Sequence, residues 1–313
     1  MKYYRHRLYG VLIDSIFPLP AAPMATEFDI PADLTVSWKP ETEWNPTFWR
    51  AIRPSSQLGW PDLGEASDGS FCITWGNELK VVISPEYDQV CIVSREAKLE
   101  FAPTVVVGAV LGYVLFLRGV ICLHGSVLER GGRAIGILGK SGAGKSTIAA
   151  SLFQKGATLL SDDLVVISQM EDRIFVEPGC AGMRLESTAV KRILGADACL
   201  PQVPYLEKLL WDFSKQPNKP DNRVCLQATP LDELLYIVEK TNQNNEVAIG
   251  PALPPTEALT LILETLYPPG ILPLLTQEKL RNLSKLAASV PIRLVQYTKT
   301  WDHLSRLVEL ILP

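Results

Sequence analysis

Gly139, Gly142 and Gly144, followed at once by Lys145 and Ser146, match the spacing G-x-x-x-x-G-K-[ST], which suits chemistry on a polyphosphate. Phosphate oxygens are held by converging backbone N–H groups, and glycine lets a chain take left-handed angles and approach closely without a Cβ clash. The apolar run Ala134 to Leu138 before the loop reads as a strand. Thr147, Ile148, Ala149, Ala150, Leu152 and Phe153 after it read as a helix that Gly156 ends. The helix N-terminus brings partial positive charge to the same point. The motif assigns Gly139, Lys140, Ser141, Gly142, Ala143, Gly144, Lys145, Ser146 and Thr147 to ATP, with Lys145 reaching the β- and γ-phosphates and Ser146 ligating Mg²⁺.

Beyond Gly156 the apolar run Ala157 to Ile167 is interrupted by Asp162 and Asp163, two adjacent acids where a buried strand would avoid charge. A bound Mg²⁺ would explain them, since the ion prefers hard oxygen ligands and keeps nearby carboxylates ionised. An exposed turn between short strands would also tolerate them but leaves the neighbouring phosphate loop unexplained. In many P-loop ATPases the metal-binding acid follows a further strand and helix, whereas here the acids come directly after the first helix. Upstream, Val120 to Glu129 places a His124-Gly125 step at the end of another apolar run.

Taken together, Leu123-His124-Gly125-Ser126-Val127-Leu128, the glycine loop and Leu159-Leu160-Ser161-Asp162-Asp163-Leu164 resemble the catalytic domain of the HPr kinase/phosphorylase family. The likeness is specific from about Leu123 to Val166. It is closest to an HPr-kinase-like branch that includes tailoring kinases for ribosomally made peptides, lasso peptides among them. The opening Tyr9 to Pro20 and the Pro178-Gly179 segment leading to Arg184 are usual in that branch. The resemblance implies an α/β fold: a P-loop kinase domain of the HPr kinase C-terminal, PEP-carboxykinase-like type behind a smaller β-rich N-terminal domain. It implies that Lys145 is the phosphate-loop lysine, that Ser146 and Asp162 hold the metal, and that Asp163 is the base, with His124 orienting the acids. The two aspartates could exchange duties. The family's E-x-R-G-x-G signature is missing, because Glu177 and Arg184 are separated by Pro178-Gly179 without an Arg-Gly step. That departure puts the reverse, phosphorolytic reaction and HPr as the target in doubt and leaves both open. Arg184, Lys219 and Arg223 are candidate contacts to phosphate or substrate, since phosphoryl transfer uses fixed cations.

A chain of 313 residues suggests two domains, and 47% hydrophobic with 20% charged residues is ample for buried cores. The expected division is residues 1–100, β-rich, and 101–313, catalytic. Strand-like stretches are Phe71 to Trp75, Leu79 to Ile83 and Val90 to Val93, and five tryptophans from Trp38 to Trp75 lie in this part, as core or as the floor of a peptide groove. The apolar stretch Pro103 to Val120 reads as a buried helix, with Arg118 limiting any membrane span. Leu231 to Lys240 reads as a strand, Thr241 to Asn245 as a loop, Pro255 to Leu266 and Thr276 to Ser289 as helices, Ile292 to Tyr297 as a last strand and Asp302 to Leu312 as a closing helix.

A net charge of -4 without a basic stripe argues against nucleic acid, and no membrane partner is expected. Six cysteines without metal spacing read as reduced thiols of a cytoplasmic enzyme. The expected reaction is Mg²⁺-dependent transfer of the ATP γ-phosphate to a serine hydroxyl on a peptide or protein, a ribosomally made precursor peptide being the preferred class. A kinase of a free amino acid or sugar, a nucleotide-binding regulator and a bare ATPase fit the same motifs. Family enzymes self-assemble, so the resemblance makes a homo-oligomer the assembly to test for.

Overall fold

The computed structural model describes residues 3–43, 49–53, 61–76, 79–95, 100–204, 206–214, 223–239 and 247–312. The chain divides into two compact units, Met1–Arg118 and Gly119–Pro313. The break falls at 118/119 rather than near residue 100, so the apolar helix is grouped with the first unit.

The first unit begins with β1 (Tyr4–Leu8) and β2 (Val11–Ser15), joined through Tyr9 and Gly10, both at positive φ (55° and 76°). That two-residue left-handed turn matches the twist of an antiparallel pair. β3 (Leu34–Pro40), β4 (Trp49–Arg53), β5 (Asp62–Ala66), β6 (Phe71–Trp75), β7 (Leu79–Ile83) and β8 (Gln89–Ser94) complete a sheet ordered β1-β2-β3-β8-β7-β6-β5-β4. The three strands expected from 71 to 93 are β6, β7 and β8. Trp44 and Trp60 lie outside the described residues, while Trp38 is half-buried and donates from Nε1 to Ser94 Oγ at 2.9 Å. The apolar helix runs as α1 (Ala102–Val105), a wider turn over Val106–Val110, and α2 (Leu111–Leu117), almost wholly buried. Among the described residues no helix is long and apolar enough to cross a membrane.

The second unit holds β9 (Ile121–Arg130), β10 (Arg133–Gly139), α3 (Lys145–Gln154), β11 (Thr158–Met170), β12 (Arg173–Glu177), β13 (Gly182–Leu185), α4 (Ser187–Leu194), β14 (Leu209–Asp212), β15 (Thr229–Glu239), β16 (Ala248–Ala252), α5 (Pro255–Glu264), α6 (Gln277–Ser289), β17 (Ile292–Tyr297) and α7 (Trp301–Ile311). The strands, helices and closing helix expected from 231 onward are therefore present, and the polar loop 241–245 lies outside the described residues. The main sheet runs β10-β9-β11-β12-β15-β17-β16, and β10 also pairs with β15, bending the sheet back on itself. β10, β15 and β17 are mutually parallel, so Gly139, Glu239 and Tyr297 end at one rim. β16 pairs antiparallel with β17 and its register shifts between Ile249 and Ala252.

Alternate residues of these strands serve two cores. Ile137, Leu235, Ile237 and Val295 face α3 and α7, whereas Leu138, Leu234, Tyr236 and Ile292 face α5 and α6. A sheet covered on both faces explains why its strands read as continuous apolar runs. α3 buries Ile148, Ala149, Ala150, Leu152 and Phe153. Of these, Ile148, Leu152 and Phe153 each contribute about 1.5–3 kcal/mol, more than any difference in helix propensity. Its end is fixed by Gly156 (φ 100°), with Gly156 N–H donating to Phe153 O at 3.0 Å and Ala157 N–H to Leu152 O at 3.1 Å.

β9 and β10 lie so close at Gly125 that an added Cβ would sit 2.7 Å from the Ile137 carbonyl oxygen and from Leu138 Cδ2. Backbone cannot yield as a side-chain tip can. Gly125→Ala should cost about 1–3 kcal/mol and lower the melting temperature by several degrees in a thermal melt; an unchanged melt would contradict this packing.

Candidate functional site

The glycine loop connects the end of β10 to the start of α3. Gly139, Gly142 and Gly144 all have positive φ (144°, 77° and 90°), so each occupies backbone space that other residues rarely enter. Gly144 is also closed to side chains by contact, since a Cβ there would lie 2.7 Å from Tyr297 Oη. Tyr297 donates from that hydroxyl to Ala143 O at 3.2 Å, tying the rim of β17 to the loop. Lys145 is 7% exposed and folds back to donate to Gly139 O at 2.9 Å and Lys140 O at 3.1 Å. Burial disfavours its charge and brings its pKa down to about 8, although Asp163 and Asp162 pull the other way.

The two acids lie on β11 opposite β9, with Asp162 facing Ser126 and Asp163 facing Gly125 in register. A register shift between Leu159 and Ser161 precedes them. Neighbours on a regular strand point to opposite faces. Asp163 escapes that rule through a left-handed backbone, φ 78°, unusual for a residue with a Cβ. Both carboxylates thereby reach Arg184: Asp162 Oδ2 accepts from the Arg184 main-chain N–H at 3.1 Å and Asp163 Oδ2 from Arg184 Nη1 at 2.8 Å. Ser126 Oγ donates to Asp162 Oδ1 at 2.6 Å.

These environments push the two carboxyl groups apart. Asp162 is 4% exposed, and burial first, then the neighbouring Asp163 charge, raise its pKa above the usual carboxylate range. Burial would raise Asp163 as well, but Arg184, then His124, Lys208 and Lys145 outweigh it and hold the group below that range. One acid of the pair is thus poised to stay ionised beside a partner that takes a proton more readily. His124 Nδ1 is 3.0 Å from the Asp163 main-chain oxygen and 3.5 Å from its Oδ1. A carbonyl only accepts, so Nδ1 holds the hydrogen there. Burial chiefly lowers the His124 pKa, favouring the neutral ring, which stacks on Tyr267 with centroids 5.9 Å apart.

These groups surround a cavity of about 360 Å³, lined by His124, Ser141, Lys145, Ser146, Thr147 and Arg184, among others. The volume falls within the roughly 300–1,000 Å³ of small-molecule sites, and its place outside the C-terminal ends of parallel strands is where open α/β sheets receive ligands. Gly142 and Gly144 of the loop also line it. Asp163 reaches the wall through Arg184 and His124.

Of the cations singled out in the sequence, Arg184 is brought to the cavity and Arg223 is not. Arg223 donates from Nη2 to Phe153 O at 2.7 Å, with its guanidinium 4.7 Å from the Phe153 ring centroid. It serves the C-terminal end of α3, where a cation meets the carbonyl-rich helix pole. Lys219 lies outside the described residues. Sequence reading passed over Ser126, which the motif contained without a role, and Lys208, Tyr297 and Trp301, which line the cavity from distant segments. Only the apolar-then-polar switch after Tyr297, at the end of a strand, could have flagged the last two.

No protein-family model matches the chain. It is 38% identical over 56 residues to an HPr kinase/phosphorylase of Chlorobium phaeobacteroides, a stretch covering 18% of this chain and 16% of that protein. The HPr kinase/phosphorylase of Mycoplasmopsis pulmonis is 37% identical over 71 residues, covering 22% of this chain and 23% of that protein. A solved structure of the HPr(Ser) kinase/phosphatase from Coxiella burnetii aligns with a TM-score of 0.32 at 10% identity, over 61% of this chain and 93% of that one. The matched stretches thus span less than a quarter of the curated relatives' own length. On these matches the chain is HPr kinase/phosphorylase-like, a likeness that the sequence matches cover for less than a quarter of its residues.

Proposed function

We propose that the second unit is a Mg²⁺- and ATP-dependent kinase that moves the γ-phosphate to a serine hydroxyl of a peptide or protein, a ribosomally made precursor peptide being the preferred class. The observation that supports it most is the convergence of a left-handed glycine loop, Lys145, Arg184 and His124 about one cavity, with Asp163, held below the usual carboxylate range, bonded to Arg184 behind the wall. In this reading Ser146, which lines the cavity, and Asp162 would hold the metal as hard oxygen ligands, the ion's charge keeping Asp162 ionised against the burial that raises its pKa. A magnesium ion completes its shell with phosphate oxygens and water rather than with a protein cage. Among the described residues no group of three metal-ligating side chains forms such a cage. Mg²⁺ would supply charge neutralisation across the β- and γ-phosphates.

In this reading the loop N–H groups and Lys145 hold the polyphosphate, and Asp163 takes the proton of the attacking hydroxyl. The hydroxyl oxygen bonds the γ-phosphorus as the bond to the β,γ-bridging oxygen breaks, and ADP leaves with that electron pair. Arg184 sits where it offsets charge on the transferring group. His124 holds Asp163 in its left-handed position through the 3.0 Å main-chain bond.

Asp163→Asn should lower transfer by at least about 100-fold with the fold intact by circular dichroism, and Lys145→Ala should do the same through lost phosphate binding. Intact mass after incubation with Mg-ATP and a serine-bearing precursor peptide from the genomic neighbourhood, HPr or free serine reads the acceptor directly. Phosphate on the peptide alone supports the proposal. Phosphate on free serine moves the chain to small-molecule kinases, and full activity in either variant removes the mechanism.

Because Lys145 titrates near 8 and phosphates favour its charged form, its pKa must rise when nucleotide binds. Binding should therefore be strongest below pH 8 and weaken above it, by up to about tenfold per pH unit, with net proton uptake. Calorimetry in two buffers of different ionisation enthalpy at pH 8.5 or so reads that uptake; proton release would contradict the assignment.

A further inference from the structure

The cavity has two chemically different ends. One is the glycine loop with its cations. The other is built by the segment from Lys299 to Leu304, where β17 passes into α7, with Trp301 and Leu304 as its apolar part beside Lys299 and Thr300, and by Thr188 and Ala189 on α4. Trp301 is half-buried there, Leu304 and Ala189 are buried, and the Arg192 guanidinium lies 5.8 Å from the indole centroid. The two ends are held in register, because Tyr297 bonds Ala143 O at 3.2 Å and stands in contact range of Gly144.

Charged phosphate oxygens gain nothing from an indole and aliphatic wall and would lose hydration against it. A flat, weakly polar heteroaromatic ring gains both area and stacking. We propose that the Trp301 end is a nucleobase subsite, with Trp301 as the stacking surface and Leu304 and Ala189 as its apolar flank. The phosphoryl donor is then a nucleoside triphosphate held at both ends rather than any polyphosphate. This rests on the phosphate-loop reading given above and adds a residue set that the glycine motif does not include.

The test is calorimetric titration of the full chain with Mg-ATP and, separately, with magnesium tripolyphosphate, which has the phosphates without the base. Trp301→Ala should weaken ATP about tenfold or more while leaving tripolyphosphate within about twofold. Trp301→Phe should recover most of the loss. Thr188→Trp, at an exposed position lining the same end, should obstruct the base and also spare tripolyphosphate, which keeps the test valid if Trp301→Ala unfolds. Unaltered ATP binding in both variants overturns the subsite, as does equal weakening of both ligands. A wild-type chain that binds neither ligand overturns the phosphate-loop reading itself.

Discussion

Two carboxylates next to each other on a buried strand are the least comfortable feature of this chain, and the ion pair between Asp163 and Arg184 at 2.8 Å makes them tolerable. Placing like charges side by side away from water costs several kcal/mol unless opposite charge and hydrogen bonds compensate. Arg184 supplies both, a guanidinium to Asp163 and a main-chain N–H to Asp162, and Ser126 supplies the remaining donor. Much of the local architecture follows from that need. β13 has to lie against β11 so that Arg184 arrives, and the register shift and left-handed Asp163 have to turn two consecutive side chains toward it.

The same compensation sets the chemistry. A carboxylate whose burial is opposed by four nearby basic groups stays ionised, while its neighbour, sealed at 4% exposure, leans toward the proton. Lys145, inside the same field, is itself pulled toward neutrality by burial. The cavity is therefore bordered by groups whose charge burial works against, in contrast to a fixed positive bowl.

The elements flanking the glycine loop were legible because their signals are local. An apolar run, a glycine spacing and a helix of small and aliphatic residues need no knowledge of the rest of the chain, and 231 to 312 reads the same way through proline and periodicity. The stretch from 171 to 225 was opaque. β12, β13 and β14 are four or five residues long and α4 is short; β12 forms a local hairpin with β11, but β12 with β15 and β13 with β14 pair across stretches distant in sequence. Arg184 and Lys208 reach the cavity from this stretch, so the cations could be suspected by type but not placed. Arg223 shows the converse: an arginine beside the helix that follows the glycine loop, yet directed at that helix's far pole by the carbonyls of Phe153 and Ala157. The left-handed geometry of Asp163 could not be read at all, since aspartate does not require it.

β16 ends the ladder of the main sheet, and there the chain places Gly250 and Pro251 at the shift in register. Proline lacks the N–H that a further strand would need, and an irregular register denies a newcomer continuous pairing. At the opposite side β10 turns back to β15. The main sheet is thus blunted against growth by addition of strands, which lowers the risk that copies of this chain pair edge to edge through it and nucleate fibres.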